Sequence, residues 1–255
     1  MTVQLRKLGR TATVTIEWAD GPAMLDAGTA YQLLRRCQEA SEDPDVLTVV
    51  LTASGDSFCL GENFDEPPPE GAFVSGVQEP GPAAVQALAG MRVPVIAAIN
   101  GPAAGIGVEL ALACDIRLAS ATATFQCDHL AQGIIPRAGG TQRLPRVVGR
   151  SYALELLLLG EPMDAQEAWR MGLAGKVYPR DRVLAEAESL AERMARNAPI
   201  STRYVREVVN KGMDMTLEQG LRLEGDLYFL LQTTPDRMEG IRAFLEKRTP
   251  TFRGE

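Results

Sequence analysis

Short apolar runs and helical periods alternate along the first half of the chain. Runs rich in β-branched residues predict strands at Val3–Leu5, Ala12–Glu17, Val46–Thr52, Val95–Asn100 and Asp115–Ala119. Between them, helical spacing of apolar residues predicts helices at Ala27–Ala40 behind the N-cap Asp26, at Ala83–Ala89 and at Ile106–Ala113. This alternation is typical of a layered α/β core with a mainly parallel sheet.

The pattern changes twice along the rest of the chain. The tract at 64–82, FDEPPPEGAFVSGVQEPGP, is rich in Pro and Gly and predicts a mobile loop rather than a core element. From about Ala138 onward the periods are almost all helical, with helix stops predicted at Gly160, Gly172 and Gly212.

Composition narrows the class of protein. A chain of 255 residues that is 45% apolar can bury a full core. The first residues, MTVQLRKLGR, lack the apolar region of a signal peptide, and no run is long enough to cross a bilayer, so we expect a cytoplasmic protein without membrane contacts. Four cysteines without CxxC pairing or a histidine at ligand spacing predict reduced thiols and no metal site.

Charge is distributed unevenly. The segment from Cys37 through Met91 has ten acidic residues and no Lys or Arg, within a chain whose formal net charge is -7. We expect this part of the surface to repel phosphates, and we expect no nucleic acid binding because it requires a basic footprint.

Two glycine-bearing segments each follow an apolar strand. They are SFCLGENF at 57–64 and NGPAAGIGVELALACD at 100–115. Glycine at a strand-to-helix junction lets a ligand approach the backbone, and the first N–H groups of a helix have no internal acceptor. Neither segment has phosphate-loop spacing, so the two uses that remain are an oxyanion hole with two N–H donors or simple packing of a turn.

These segments resemble the enoyl-CoA hydratase/isomerase (crotonase) superfamily. The resemblance also includes GIIPRAGGTQRLPRVVGRSYALELLLLGEPMDAQEAWRMGLAGKVYP and extends to the C-terminal EGIRAFLEKRTPTF. It implies an α/β crotonase fold in which a spiral of ββα units at 1–197 carries the active site and a helical region at 198–255 forms a homotrimer or a dimer of trimers. It also implies oxyanion donors at the backbone of Glu62, after Gly61, and of Ile106, after Gly105.

The resemblance assigns two acid/base side chains. Glu109 matches one hydratase glutamate, and His129, the only histidine in the chain, stands where hydratases have the second. A carboxylate in the apolar helix VELALA is unusual unless it has a partner, which favours a functional role. Next to the histidine, Asp128 and Cys127 are candidates for orienting it and Gln126 for lining the site, although a solvated Asp and an inert Cys are the ordinary expectation.

Side chains near the donors lead to a hypothesis about the reaction. Acidic residues occupy stretches where the family commonly has bases that contact coenzyme A, and ATFQ followed by HxxxG resembles 6-oxocamphor hydrolase and related β-diketone hydrolases. We therefore expect hydrolysis of a carbon–carbon bond in a small non-thioester diketone, without a cofactor. The alternative is an enoyl-CoA hydratase or isomerase in which Lys247 and Arg248 contact coenzyme A, and a third hypothesis is a catalytically silent trimeric homologue.

Overall fold

The structure, a computed structural model, describes residues 1–19, 21–63 and 79–255. The described α-helices are α1 Ala27–Glu42, α2 Pro80–Ala89, α3 Ile106–Ala113, α4 Gly140–Val148, α5 Arg150–Leu159, α6 Ala165–Arg170, α7 Val183–Met194, α8 Pro199–Gly212, α9 Leu217–Leu231 and α10 Pro235–Leu245. The described strands are β1 Thr2–Leu8, β2 Thr11–Glu17, β3 Met24–Leu25, β4 Thr48–Ala53, β5 Gly61–Glu62, β6 Val95–Ile99, β7 Ala103–Ala104, β8 Ile116–Ser120, β9 Thr124–Gln126, β10 Met163–Asp164 and β11 Lys176–Tyr178.

Units of two strands and one helix repeat along the first half of the chain. The first strand of each unit joins a six-stranded sheet of order β1-β2-β4-β6-β8-β11, in which only the β1–β2 pair is antiparallel. The second strand of each unit joins a layer of short sheets, β3-β5 and β10-β9-β7. The expected spiral of ββα units and the mixed α/β class are confirmed.

The main sheet is buried on both faces. Val49 and Leu51 of β4 pack into the larger core cluster, which includes residues of α1, α2 and α3. Val50 between them packs on the opposite face with Ala187 of α7. Because side chains alternate across a strand, a central strand covered by helices on both sides is buried at every position, as β4 is. Its two polar residues, Thr48 and Thr52, donate their hydroxyls to the backbone carbonyls of Ala191 and Ala98.

Local sequence signals explain where several elements begin and end. Asp26 accepts a hydrogen bond from the Thr29 N–H at 2.6 Å and is the N-cap of α1, as predicted. The predicted glycine stops are also confirmed. Gly160 ends α5 with a φ of 64°, Gly172 follows α6 with a φ of 82°, and Gly212 is the last residue of α8.

Two predictions about elements need correction. The predicted loop at 64–82 lies outside the described residues up to 78, but its last residues, Pro80 to Pro82, form the first turn of α2. Proline fits the first turn of a helix because no N–H is needed there. The half of the chain predicted as helical also contains β10 and β11, and β11 pairs in parallel with β8, a long-range contact that a local period does not encode.

The C-terminal helices α8 and α9 bury no residue in the single chain. Asp115 anchors α8 to the rest of the molecule through a bidentate contact with Arg206 Nε at 2.8 and 2.9 Å. The same guanidinium donates to the carbonyl of Ala89 at 2.9 Å, at the end of α2. The helical region at 198–255 is therefore attached to the α/β core while much of its apolar surface stays exposed.

Candidate active site

The two glycine-bearing segments lie side by side. Cys59 pairs with Ala103 as an isolated parallel bridge, and the Ala104 N–H donates to the Cys59 carbonyl at 2.8 Å. A Cβ on Gly107, in the first turn of α3, would lie 2.2 Å from that carbonyl oxygen, so only glycine fits this approach. The start of α3 is thus packed against the first segment.

The two proposed donor positions follow glycines that nearly touch. Gly61 has a φ of 137° and Gly105 a φ of 51°, conformations that favour glycine. A Cβ on Gly105 would lie 3.7 Å from the Cα of Gly61. Glu62 follows the first glycine in the chain, and Ile106 follows the second and begins α3, where its N–H has no intrahelical acceptor.

Glu109 is held as a buried carboxylate one turn along α3 from Ile106. The residue is only 2% exposed, and its Oε1 accepts hydrogen bonds from the N–H groups of Ala138 and Gly140, at 2.8 and 2.7 Å. Gly140 begins α4, so the carboxylate lies at the positive end of a helix dipole. These contacts satisfy Oε1 and leave Oε2 facing elsewhere.

His129 lies opposite that second oxygen. It belongs to a 3-10 helix at Asp128–Gln132, is 7% exposed, and places its Nε2 3.6 Å from Glu109 Oε2. Its Nδ1 is buried and forms no hydrogen bond in the described structure. The structure therefore brings together the two residues that the sequence assigned to acid/base chemistry, and both are buried.

The three neighbours of His129 differ in their surroundings. Asp128 Oδ1 is buried without a hydrogen-bond partner in the described structure, while Oδ2 accepts from Gln132 Nε2 at 3.2 Å. Gln126 donates from its Nε2 to the Gly160 carbonyl at 2.9 Å, toward the end of α5. Burial raises the pKa of the Cys127 thiol to about 12, so this cysteine is a neutral thiol rather than a nucleophilic thiolate at ordinary pH.

The sequence did not point to Arg137 or to the turn that follows it as parts of the site. The guanidinium of Arg137 donates to Glu62 Oε2 at 2.7 Å and pairs with Glu79, the N-cap of α2. The residues after it, Ala138 and Gly140, supply the N–H groups that hold Glu109. The Gly-Gly pair was the available signal, since Gly139 has a φ of 103° and a Cβ on Gly140 would lie 3.1 Å from Glu109 Oε1.

Four bases from outside the acidic segment at 37–91 form ion pairs with it. Six of the seven acidic residues that the structure describes in this segment form ion pairs: Glu39 with Arg36, Asp43 and Asp45 with Lys7, Asp56 with Arg180, and Glu62 and Glu79 with Arg137. Each of these partners lies outside the segment. The expectation that this surface repels phosphates was based on the charge of the segment alone, and the four partner bases offset part of that charge.

The two residues suggested for coenzyme A contact follow α10. Lys247 has a φ of 54°, and its backbone N–H donates to the Phe244 carbonyl at 3.2 Å. Arg248 donates to both carboxylate oxygens of Glu239, at 2.6 and 2.9 Å, and pairs with Glu246 at 2.6 Å. Arg248 thus has a structural role at the end of α10, whereas the Lys247 side chain has none of these contacts.

Comparisons with known proteins identify the family. The sequence model of the family described as enoyl-CoA hydratase/isomerase matches residues 13–255. The chain is 39% identical over 230 residues to 2,3-dehydroadipyl-CoA hydratase of Escherichia coli (strain K12), covering 90% of each chain. It is 36% identical over 256 residues to (E)-benzylidenesuccinyl-CoA hydratase of Thauera aromatica, covering 100% of each.

A solved structure agrees with this result. The crystal structure of an enoyl-CoA hydratase from Bacillus anthracis superposes with a TM-score of 0.92 at 33% identity, over 100% of both chains. The chain therefore belongs to the enoyl-CoA hydratase/isomerase family, whose members are enzymes.

These findings correct the predicted reaction. The relatives above carry hydratase names, so the expectation of a β-diketone hydrolase is wrong and its alternative, an enzyme acting on an acyl-CoA thioester, is the better supported one. Part of the physical reason is the charge count, because Asp56 and Glu62, two of the acidic residues taken as evidence against coenzyme A, pair with the distant bases Arg180 and Arg137. Within the described ranges no helix is long and apolar enough to span a bilayer, and no group of His, Cys, Asp and Glu is arranged to hold a metal ion.

Proposed function

We propose that the protein adds water across the double bond of an enoyl-CoA thioester. The observation that carries the proposal is the buried pair of Glu109 and His129. Glu109 lies on α3 one helical turn beyond the Ile106 N–H, and His129 faces it from the 3-10 helix. Coenzyme A is then the carrier of the substrate, and no other cofactor is needed. Absence of nucleic acid binding and a cytoplasmic location stay predictions from the sequence.

In this proposal the backbone N–H groups of Glu62 and Ile106 bind the thioester carbonyl oxygen. Attack at the β-carbon moves electron density onto that oxygen, and two donors aimed at it stabilise the resulting enolate. An oxyanion donor of this kind typically contributes about 3 kcal/mol of transition-state stabilisation.

Glu109 and His129 hold the attacking water. The 3.6 Å between Oε2 and Nε2 is too long for a direct hydrogen bond, which leaves both atoms free to contact one water placed at the apex between them. A neutral imidazole or the carboxylate accepts a proton from this water as its oxygen bonds to the β-carbon. The Ala138 and Gly140 N–H groups keep the other oxygen of Glu109 occupied and fix its direction.

We propose that Lys247 contributes a cation to the coenzyme A phosphates, and that Arg248 acts there only secondarily because two carboxylates hold it. The second part of the proposal is assembly as a homotrimer or a dimer of trimers. Apolar side chains exposed on the C-terminal helices support it: Val205 (65%), Val209 (58%), Leu217 (80%), Leu221 (57%), Phe229 (72%), Phe244 (82%) and Leu245 (73%). An apolar surface of this extent is unusual on a monomer.

The test of the reaction uses the pure protein with crotonyl-CoA, 2,3-dehydroadipyl-CoA and (E)-benzylidenesuccinyl-CoA. We expect a 3-hydroxyacyl-CoA product that gains one oxygen from labelled water, identified by mass spectrometry. His129→Gln keeps size and hydrogen bonding but is a far weaker base, so kcat should fall by about 10²- to 10⁴-fold with KM nearly unchanged. Turnover of none of the three thioesters would contradict the proposal, and a product isomerised without added oxygen would reassign the reaction to an isomerase.

Assembly is tested separately by sedimentation. The wild-type protein should sediment as three or six chains, and Phe229→Asp should shift it toward the single chain of 27.5 kDa because a charge is placed in the apolar contact. A wild-type protein that sediments as a single chain at micromolar concentration would contradict the assembly.

A further inference from the structure

Asp128 has an unused hydrogen-bonding atom inside the candidate site. Its Oδ1 is buried and has no partner among the described residues, while Oδ2 is occupied by Gln132 Nε2. Burying a carboxylate oxygen without a hydrogen bond is costly, so in native proteins such an atom usually has a ligand or a role in catalysis. The proposed hydration through Glu109 and His129 does not use it.

That oxygen lies at the beginning of α3. A Cβ on Gly105 would be 3.3 Å from Asp128 Oδ1, so the carboxylate lies against the glycine that precedes the Ile106 N–H. The backbone fixes this arrangement, because the Gly105 N–H donates to the Gln126 carbonyl at 3.0 Å, two residues before Asp128. The carboxylate is thus next to the position where the thioester carbonyl is proposed to bind.

Asp128 and the Glu109–His129 pair lie one after the other along α3, as the α-carbon and β-carbon follow the carbonyl carbon in an enoyl thioester. Asp128 lies at Gly105, the N-cap of α3, while His129 lies at Glu109, four residues or about 6 Å further along the axis at 1.5 Å per residue. In the substrate the α-carbon is bonded to the carbonyl carbon and the β-carbon is one bond further away. With the thioester carbonyl oxygen at the Ile106 N–H, as proposed, Asp128 lies on the carbonyl side of the substrate and the buried pair lies on its β-carbon side.

We infer that Asp128 is a further catalytic residue that transfers the proton at the α-carbon. This inference rests on the proposed hydratase function. In hydration, the water oxygen bonds to the β-carbon, and its proton passes to the Glu109–His129 pair. Protonated Asp128 then gives its proton to the α-carbon as the enolate electrons form the new C–H bond. The proton held by the pair returns to the Asp128 carboxylate and completes the cycle.

The reverse half of this step conserves charge within the site. When the Asp128 carboxylate removes an α-proton, the C–H electrons become the enolate and the negative charge moves to the thioester oxygen. That oxygen is stabilised by the Glu62 and Ile106 N–H groups, and Asp128 becomes neutral at the same moment. The carboxylate and the oxyanion are therefore never both charged, which removes the repulsion expected for two anions so close together.

Exchange of the α-hydrogens of butyryl-CoA in D2O isolates this step, because a saturated thioester cannot be hydrated. Wild-type protein should incorporate deuterium at the α-carbon, measured by NMR. Asp128→Asn has the same shape without the base, so exchange should fall by about 10²-fold or more. Asp45→Asn is the matched control, since Asp45 is exposed (78%) and pairs only with Lys7 among the ion pairs. His129→Gln should retain exchange while losing hydration of crotonyl-CoA.

The outcomes distinguish the inference from the proposed function. Normal exchange in Asp128→Asn, or loss of exchange in His129→Gln with retention in Asp128→Asn, overturns the role of Asp128. Hydration of crotonyl-CoA by a wild-type protein that exchanges no α-hydrogen also overturns it and leaves the hydratase function standing. A wild-type protein that neither hydrates nor exchanges any thioester refutes the proposed function itself. Circular dichroism and urea unfolding verify that each variant is folded.

Discussion

Replacing Glu109 in two ways separates its charge from its hydrogen bonds. Glu109→Gln retains a carbonyl oxygen that can accept from the N–H groups of Ala138 and Gly140, while an amide replaces the oxygen that faces His129. Glu109→Ala removes the acceptor and leaves both buried N–H groups unpaired. Each orphaned donor costs about 1–3 kcal/mol, which gives about 2–6 kcal/mol for the two. The lower half of that range is expected because water entering the vacated space restores part of the bonding.

The assays are urea unfolding and hydration of crotonyl-CoA. Both variants should lose about 10²- to 10⁴-fold in kcat, because neither can accept a proton from water. Only Glu109→Ala should lose stability by the amount above, with Glu109→Gln close to wild type. Equal stability of the two variants would refute the structural part of this reasoning. A Glu109→Gln enzyme with near-normal kcat would refute the catalytic part.

Three further predictions concern the donors, the carrier and the C-terminus. Gly105→Val should lower kcat/KM for crotonyl-CoA about 100-fold, which is the loss expected for one oxyanion donor. Gly9→Val is the control, because Gly9 has a similar φ of 59° and a Cβ there would have no contact within 4 Å, so its kcat/KM should not change. An unchanged kcat/KM in Gly105→Val would exclude Ile106 as a donor. Lys247→Ala should raise KM with kcat unchanged, most strongly at low salt, and an unaltered KM would exclude it as a phosphate contact. The hydrogen bonds from Arg248 lower the pKa of Glu239 from 4.5 to about 2. The contribution of this pair to the free energy of unfolding is therefore complete above pH 4.5 and is lost as pH falls through 2. The difference in unfolding free energy between wild type and Glu239→Gln should shrink over that interval, and a pH-independent difference would contradict the pairing.

Local pattern was enough for much of the α/β core. Helix α3 begins and ends at the predicted residues, Ile106 and Ala113, because a mostly apolar segment of eight residues lies between a glycine junction and the next strand. Glu109 could be recognised as a candidate from the sequence for a related reason, because it is the one carboxylate in that apolar segment. The pairing of Glu109 with His129 came from the family resemblance, since nothing in the spacing of the two residues specifies their contact.

The charge environment depended on the tertiary structure. Lys7 meets Asp43 across 36 residues, Arg137 meets Glu62 across 75, and a base at 180 meets Asp56 across 124. A count of charge along the chain treats these acids as unpaired, and that count, together with the resemblance to 6-oxocamphor hydrolase, led to the wrong choice of a substrate without coenzyme A. Electrostatic interaction depends on distance in space and on burial, and neither can be read from sequence separation.

Sequence alone thus determined the alternation of strands and helices, the glycine junctions and the residue types available for catalysis, because each depends on a short stretch of chain. The tertiary structure decided which atoms of those residues have hydrogen-bond partners. Glu109 Oε1 accepts hydrogen bonds from two N–H groups of a turn near 140, whereas Asp128 Oδ1, beside Gly105, has no hydrogen-bond partner among the described residues. Hydrogen bonding between segments is a property of their packing, so the division of labour within the site appears only when the segments are brought together.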